Sequence, residues 1–356
     1  MIGNEMNFSG SYAAEDVRIL LKQAAVEFTD VAEKERRIQS GEMHYSQMLS
    51  PETVPGPEYM KLYEHALARN AARLHGDVIR LADMMVDHVG KTVTLVSLAR
   101  AGTPIGVLLQ RHLRRTGIDS RHYSVSIIRD RGLDMNAMKT IVAERGARNI
   151  VFVDGWTGKG AIAEELRRTL GGGEIAPRLA VIADPAGRAN MAATLDDYVI
   201  PSGILNGIVS GLISRSVLNE DVVGEGEYHA CLNQTHLAEH DRTMEFIHHV
   251  ESAVPQMVGH EWKASKTVNA RRESTKVVRQ IMARHGLNDV NRVKPGIAEA
   301  TRAILRRVPE AVYLKNVEDV DTGHIVHLAK QAGIEIHQLT EDCPYRAVTV
   351  IRTLGE

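Results

Sequence analysis

Short apolar runs alternate with amphipathic stretches through the middle of the chain. Four such runs recur at intervals of about 25 to 30 residues, and each leads through a turn into a segment with helical spacing of apolar residues. The runs span 92–99, 123–128, 149–153 and 178–183, and the helical segments span 103–117, 134–146 and 161–170. This order of strand, turn and helix predicts a parallel sheet with helical crossovers.

The two ends of the chain show other patterns. Apolar residues recur at helical spacing over 17–25 and again over 59–88, and three prolines separate the two segments. The last 81 residues or so alternate between helix and strand, which is typical of a small α/β domain. The predicted units are 1–90, a helical extension packed on the core; 91–260, the core with its cap; 261–275, a linker; and 276–356, the second domain.

Composition narrows the class of protein. The 356 residues suggest two domains at about 150 residues each. A net charge of -2 does not favour general electrostatic binding to nucleic acid, although a local basic face is compatible with it. No apolar run reaches the roughly 20 residues that cross a bilayer, and the start of the chain lacks a signal pattern. Two cysteines indicate no disulfide framework, so we expect a cytoplasmic protein without a membrane partner.

The clearest chemical signal is a glycine-rich turn after the third run. Asp154 ends the run, and the turn 155–160 leads into a helix. Glycines let backbone N–H groups converge, and a helix N-terminus adds positive charge, so the turn can hold a phosphate. The spacing fits neither a P-loop nor a dinucleotide-binding fingerprint. The alternative is a strand-to-helix turn that binds nothing.

Charged residues follow the other predicted strands as well. Arg100 follows the first run, Arg129 and Arg131 follow the second, and Asp184 follows the fourth. Parallel sheets bind ligands at this edge, and arginine forks suit a diphosphate. The alternatives are a surface arginine in a tight turn, a solvated charge run and a plain Asp-Pro turn.

A cysteine and three histidines lie close together near residue 235. His236 and His240 are four residues apart, as in a helical metal pair, and Cys231 and His229 precede them. Zinc binding and a Cys231 nucleophile paired with a histidine are both open interpretations. A capping segment near the acceptor site is the third interpretation, and we assign no protein side chain to a metal.

The segment 150–162 resembles the signature of type I phosphoribosyltransferases. More specifically, the chain resembles a phosphoribosyltransferase family encoded near bacterial tellurite-resistance and stress genes. Its members combine an orotate-phosphoribosyltransferase-like core with a C-terminal pelota-type RNA-binding domain, and some are labelled cysteine protease StiP. The matching stretches are GSYAAEDVRILLK, HYSQMLSPE, SLARAGTPIG, HYSVSIIRDRG, VFVDGWTGKGAI, ADPAGRA and PSGILNGIVSGLISRSVLN. The implied fold is a type I phosphoribosyltransferase-like parallel sheet with flanking helices plus a small pelota-like domain.

The resemblance implies a role for each strand end. Phosphoribosyl diphosphate and Mg²⁺ would bind there, with Asp154 on the ribose and Gly155 in place of the family's usual second acid. The residues implied for the 5′-phosphate are Thr157, Gly158, Lys159, Gly160 and Ala161, and those for the diphosphate loop are Ala99, Arg100, Ala101 and Gly102. Arg100, Arg129, Arg131 and Asp154 would be catalytic, and Asp184 and Tyr123 are the candidates for the acceptor site.

The C-terminal segment 293–307 resembles the turn and helix that pelota-type domains use against RNA. Lys294 and Arg302 would meet phosphates, Gly296 would permit close approach, and Glu299 would accept from a base. A merely solvated basic helix face is the alternative.

The predicted function is therefore a homodimeric phosphoribosyltransferase that modifies a base-like acceptor in a tellurite or stress response. Two alternatives remain open. One is an RNA-binding or regulatory protein with a non-catalytic phosphoribosyl pocket, and the other is a thiol peptidase that depends on Cys231.

Overall fold

A mostly parallel sheet with helices on both faces forms the larger part of the molecule. The structure is a computed structural model that describes residues 8–258 and 264–353. In the first range the strands are β1 (Arg18–Leu20), β2 (Lys22–Gln23), β3 (Thr92–Ala99), β4 (Asp119–Ile128), β5 (Gly132–Leu133), β6 (Ile150–Trp156), β7 (Leu179–Ala183), β8 (Met191–Thr194) and β9 (Ala230–Cys231). The helices there are α1 (Val31–Gln39), α2 (Pro57–Val89), α3 (Thr103–Arg115), α4 (Met135–Arg145), α5 (Ala161–Leu170) and α6 (Thr243–Ser252).

The order of the strands confirms the predicted parallel core. Within residues 8–258 the sheet runs β1-β4-β3-β6-β7-β8 with parallel neighbours, and β5 adds to β4 as an antiparallel hairpin. Alternate residues of β3 face opposite sides: Leu95 packs with α2 and α3, and Val96 packs with α4 and α5. A strand that is covered on both faces reads as a continuous apolar run, which is why the sequence pattern located it.

The N-terminal segment differs from its predicted helical form. Residues 18–23 form β1 and β2, because β1 pairs with β4 at the edge of the sheet and places Ile19 opposite Ser124, and β2 pairs with β9. Tertiary pairing overrides the helical spacing of apolar residues here. The long helix α2 does follow its predicted span, with Pro57 at its first position and Gly90 ending it at φ +86°.

A second sheet forms the C-terminal part of the chain. Its elements are α7 (Ala264–Arg284), β10 (Val293–Pro295), α8 (Ile297–Arg306), β11 (Pro309–Leu314), α9 (Gly323–Gln331), β12 (Glu335–Gln338) and β13 (Ala347–Ile351). Its strands are ordered β10-β13-β11-β12 within residues 264–353. Helix α7 occupies most of the predicted linker, because Val277, Val278 and Ile281 on its last turns pack into the core of this second sheet. Residues 261–263 of the predicted linker lie outside the described residues.

The two sheets share one continuous apolar contact. Ile297 and Ala300 of α8 belong to the same buried cluster as the side chains of α2 and α3. At this contact Asp197 of the first domain accepts the backbone N–H of Ile297 at 3.1 Å and that of Arg346 at 2.8 Å. The contact holds α8 across the carboxyl ends of the parallel strands, and the candidate site lies between them.

Candidate functional site

An interdomain cleft lies at the carboxyl ends of β3, β4 and β6, the edge at which the sequence predicted ligands. It encloses about 330 Å³ between the first domain and α8. In the described ranges, its cationic lining comprises Lys34, Arg100, Arg129, Lys159 and Arg215 from the first domain and Lys294, Arg302, Arg306 and Arg307 from the second. The carboxylates that line it there are Asp154 and Glu299. This excess of cations makes the cleft a strong attractor of anions.

The glycine-rich turn borders the cleft but is partly occupied by the second domain. The Lys159 ammonium donates to the carbonyl of Val293 at 2.8 Å, and the Tyr345 hydroxyl donates to the carbonyl of Gly158 at 2.9 Å. A Cβ on Gly158 would lie 3.0 Å from Cγ of Glu299. Gly160 has φ +92°, and Ala161 begins α5. The turn therefore serves as a docking surface for the second domain.

Thr157 and Asp184 form a pair with each other rather than with a ligand. The Thr157 hydroxyl donates to Oδ1 of Asp184 at 2.5 Å, and both side chains are buried. Asp184 also accepts the backbone N–H groups of Arg188 and Ala189, at 2.8 and 3.0 Å. A buried carboxylate with three donors fixes a turn, so Asp184 is not available to an acceptor base in this form.

Tyr123 lies away from the cleft. Its ring is buried in the face that packs on α4, and its hydroxyl donates to Glu144 at 2.6 Å. Among the described residues that line the cleft, neither Tyr123 nor Asp184 occurs. The two acceptor-site candidates are therefore not brought together.

The predicted catalytic arginines have three different environments. Arg100 is 4 % exposed, donates to the carbonyl of Ile213 at 2.5 Å and pairs with Glu52. Arg129 is half-buried and donates to Asn291 of the second domain at 2.9 Å. Arg131 is exposed and is outside the described lining of the cleft. Ala99 and Ala101 line the cleft, whereas a Cβ on Gly102 would lie 2.2 Å from the carbonyl of Val153, which explains that glycine.

Asp154 faces the cleft in a half-buried position. It accepts the N–H of Gly155 at 2.8 Å, yet burial raises its pKa to about 7 despite that hydrogen bond. The binding of Mg²⁺ at this strand end stays a prediction.

The predicted RNA residues face the first domain rather than solvent. Lys294, Glu299 and Arg302 line the cleft, and the Arg302 guanidinium stacks over Trp156 at 4.6 Å from the ring centroid. Gly296 has φ +90° at the start of α8, where it is buried. RNA cannot reach this face of α8 while the two domains are docked.

Four cations of the cleft were not predicted from the sequence to belong to this site. Lys34, Arg215, Arg306 and Arg307 come from a charged run, a loop and the end of α8, and only the fold brings them together. Burial and the neighbouring arginines lower the pKa of Lys34 to about 8, as expected for a crowded cationic cluster.

Cys231 lies in a closed, apolar environment. It ends β9, which pairs with β2, and its side chain is fully buried in the main core. Burial raises the pKa of its thiol to about 12, although Arg100 lies near enough to lower it slightly. Cys343 is buried in the second domain, and burial raises its pKa to about 11. Neither thiol is ionised at neutral pH in this form.

The histidines near Cys231 do not form a metal site in the described ranges. His236 and His240 lie exposed in a short 3-10 helix, Thr235–His240. The His229 ring bonds to the Ser126 hydroxyl at 2.8 Å. The described part of the chain contains no group of three or more histidine, cysteine or acidic residues placed to hold a metal ion.

Comparison with known proteins identifies the family. The model for the tellurite-like stress resistance cysteine protease StiP matches residues 10–251, and the model for the PELOTA RNA binding domain matches residues 272–353. The chain belongs to the StiP family. A relative from Acinetobacter baylyi, named cysteine protease StiP, is 42% identical over 369 residues, which cover 99% of this chain and 96% of that protein. No solved structure matches the chain.

These findings confirm part of the resemblance and correct the rest. The StiP family, the α/β core and the pelota-like domain are confirmed. Membership of a phosphoribosyltransferase family is not shown, and the predicted transferase activity is wrong, because the matching family model and the relative are both named for a cysteine protease. The structure offers a physical reason: Thr157 and Lys159, the predicted phosphate ligands, are engaged by Asp184 and by the second domain.

Length and apolar character decide whether one of these helices can span a bilayer. Within the described residues, none of them is both long enough and apolar enough to cross a bilayer.

Proposed function

We propose that this chain is a thiol peptidase of the StiP family that acts in stress resistance, with Cys231 as its nucleophile. The observation that carries the proposal is the 42% identity, over nearly the whole chain, to a protein named cysteine protease StiP. The matched family segment ends at residue 251, and Cys231 is the only cysteine of the sequence within it. Cys343 lies in the pelota segment instead.

His229 is the candidate base. Lys22 and Ala24 donate their N–H groups to the carbonyls of His229 and Cys231, both at 2.9 Å, so the segment is extended. Residues two apart in an extended segment project to the same face. Burial lowers the pKa of His229, although Asp134 has the opposite effect. The lowered pKa favours the neutral imidazole that a general base requires.

The described form corresponds to a latent state of this peptidase. Among the described residues, no hydrogen bond joins Cys231 to a histidine, and its thiol is protonated. Catalysis requires an opening that lets water and a peptide reach the sulfur. His229 would take the thiol proton, and the thiolate would attack the amide carbonyl. The C–N bond would break as a thioester forms, and the amine would leave with the proton of the imidazolium. Water would then hydrolyse the thioester, which releases the acid and restores the thiol.

The test is hydrolysis of a denatured protein substrate by the full chain under reducing conditions. The variant Cys231→Ser should lose about 100-fold or more in rate, since oxygen is a far weaker nucleophile in a thiol peptidase site. The matched control, Cys343→Ser, removes the other buried thiol and should stay within about twofold of the wild type. Equal rates for the wild type and Cys231→Ser, or no hydrolysis by the wild type, would contradict the proposal.

The RNA partner of the pelota domain stays a prediction. The match to PELOTA RNA binding domains supports it, while the predicted residues Lys294 and Arg302 face the cleft. The second domain also carries exposed cations on α7, namely Arg271, Arg272, Lys276 and Arg279. Their exposure makes that face the better candidate surface for RNA.

A further inference from the structure

The cations of the cleft are not fully compensated by the protein. Of the described carboxylates near it, Asp154 and Glu299 line the cleft, Glu52 pairs with Arg100 and Arg306, Glu35 pairs with Arg307, and Asp130 pairs with Arg129. These five acids face nine lining cations in a chain whose net charge is -2. A concentration of like charge is costly in a half-buried site, so it usually marks a place where an anion binds.

Several donors in the cleft have no partner within the described residues. The Nε atoms of Arg302 and Arg306 and the Nη1 atom of Arg215 are buried without a hydrogen bond. Buried donors of this kind are rare in proteins and call for an explanation. The pKa values of Arg302 and Arg215 are lowered to about 10 by burial and by neighbouring arginines, which is consistent with crowding of unneutralised cations.

The arrangement of these residues suits phosphate. Arg302 and Arg306 stand at i and i+4 on one face of α8, and Arg307 follows directly after the helix; all three line the wall of the cleft opposite Lys34 and Arg215. Guanidinium forks bind phosphate oxygens in pairs, whereas lysine acts as a point charge. Cations on two opposite walls can contact several charged groups of one anion. They therefore suit an anion with several charged groups better than they suit a single carboxylate.

We propose that the interdomain cleft binds a compact polyphosphate anion, such as the phosphate chain of a nucleotide, between the α8 arginine row (Arg302, Arg306 and Arg307) and the first domain. A volume of about 330 Å³ is at the lower end of small-ligand pockets, which matches a molecule of that size. The site is composite, because neither domain alone supplies both walls. It does not depend on Cys231, so it stands apart from the proposed peptidase activity.

A long nucleic acid is the weaker candidate for the same cations. The cleft is bounded on one side by the contacts of Lys159 and Tyr345 with the opposite domain, at 2.8 and 2.9 Å. A polymer would have to separate the domains, whereas a compact anion enters without breaking those contacts.

Calorimetric titration of the full chain with inorganic triphosphate, in low salt without divalent metal, tests the proposal. We expect binding that the double variant Arg302→Ala/Arg306→Ala weakens by about 100-fold, at about tenfold for each charged hydrogen-bonding side chain. The matched control is Arg114→Ala/Arg115→Ala, which removes two exposed arginines of α3 and should change the affinity by about twofold or less. Cys231→Ser should bind as the wild type does.

Further arms keep the result decisive if the alanine variant is unstable. Arg302→Lys/Arg306→Lys retains both charges but loses the forks, so it should bind with intermediate affinity. Thermal unfolding without triphosphate checks that each variant is folded. The proposal is overturned if triphosphate does not bind, if the α8 variants bind it as tightly as the wild type, or if only single-stranded RNA binds through these arginines.

Discussion

Arg100 borders two regions of opposite character. On one side is the cleft, which is open, half-buried and rich in unneutralised cations. On the other is the environment of Cys231, where an apolar core encloses a thiol whose pKa burial raises to about 12. This fold therefore separates the residues that attract a ligand from the residue that would perform chemistry. The cleft is formed in the described state, and the thiol site is not.

The ion pair of Arg100 with Glu52 lies largely buried at this border. Burial opposes ionisation of Glu52, but Arg100 and Arg306 outweigh it and lower the pKa of Glu52 to about 2. Breaking such a pair leaves a buried charge without its partner, which costs more than the pair itself contributes.

The variant Arg100→Met should therefore have the largest effect on stability. We expect a loss of about 3–5 kcal/mol in the free energy of unfolding, because Glu52 and the Ile213 carbonyl lose their donor. Urea unfolding at pH 7 measures it. The matched control is Arg36→Met, which removes pairs with Glu33 and Glu42 that are exposed, so its effect on stability should be far smaller. A loss of stability for Arg100→Met as small as that of the control would contradict a large stabilising effect of the Arg100–Glu52 pair.

A smaller effect should appear on the cleft side, at Asp154. The folded pKa of Asp154, about 7, lies above the ordinary value of 3.8. The free energy of unfolding is therefore highest below pH 3.8 and falls as the pH rises through 7, because the buried carboxyl group must then ionise. Asp154→Asn removes the ionisable group and with it this loss of stability. We expect the variant to be more stable than the wild type by up to about 4 kcal/mol at pH 8 and nearly equal at pH 4.

Urea unfolding of both proteins from pH 4 to pH 8 provides the comparison. Asp197, whose pKa burial also raises to about 7, is present in both chains, so the difference isolates Asp154. Asp130→Asn serves as the control at an exposed carboxylate. A stability difference that does not change with pH would show that Asp154 ionises normally.

The apolar pattern was sufficient to predict the parallel core. Strands such as β3 and β6 are buried on both faces, so their residues form local runs that do not depend on distant partners. The strand ends were predicted to form a ligand-binding edge, and the cleft does lie there. The edge strands β1 and β2 were missed, because only pairing with β4 and β9 makes them extended.

The partners of the candidate side chains could not be predicted in the same way. Thr157 faces Asp184, 27 positions away, and Lys159 bonds to Val293 of the other domain. The direction of α8 is set by the cap that Asp197 provides and by Ile297 in the shared core. Each of these contacts joins residues that are distant in the sequence, so local spacing cannot predict it. For this reason the sequence predicts phosphate at the turn and RNA at α8.

The most direct test of the account is the accessibility of the Cys231 thiol. Alkylation by iodoacetamide, followed by mass spectrometry of the modified peptides, gives the rate at Cys231 in the native chain and in urea. We expect the alkylation rate at Cys231 in the native chain to be about 100-fold or more below the rate in the unfolded chain, because the thiol is buried and protonated. A native rate equal to the unfolded rate would contradict the closed thiol site on which the contrast with the cleft rests.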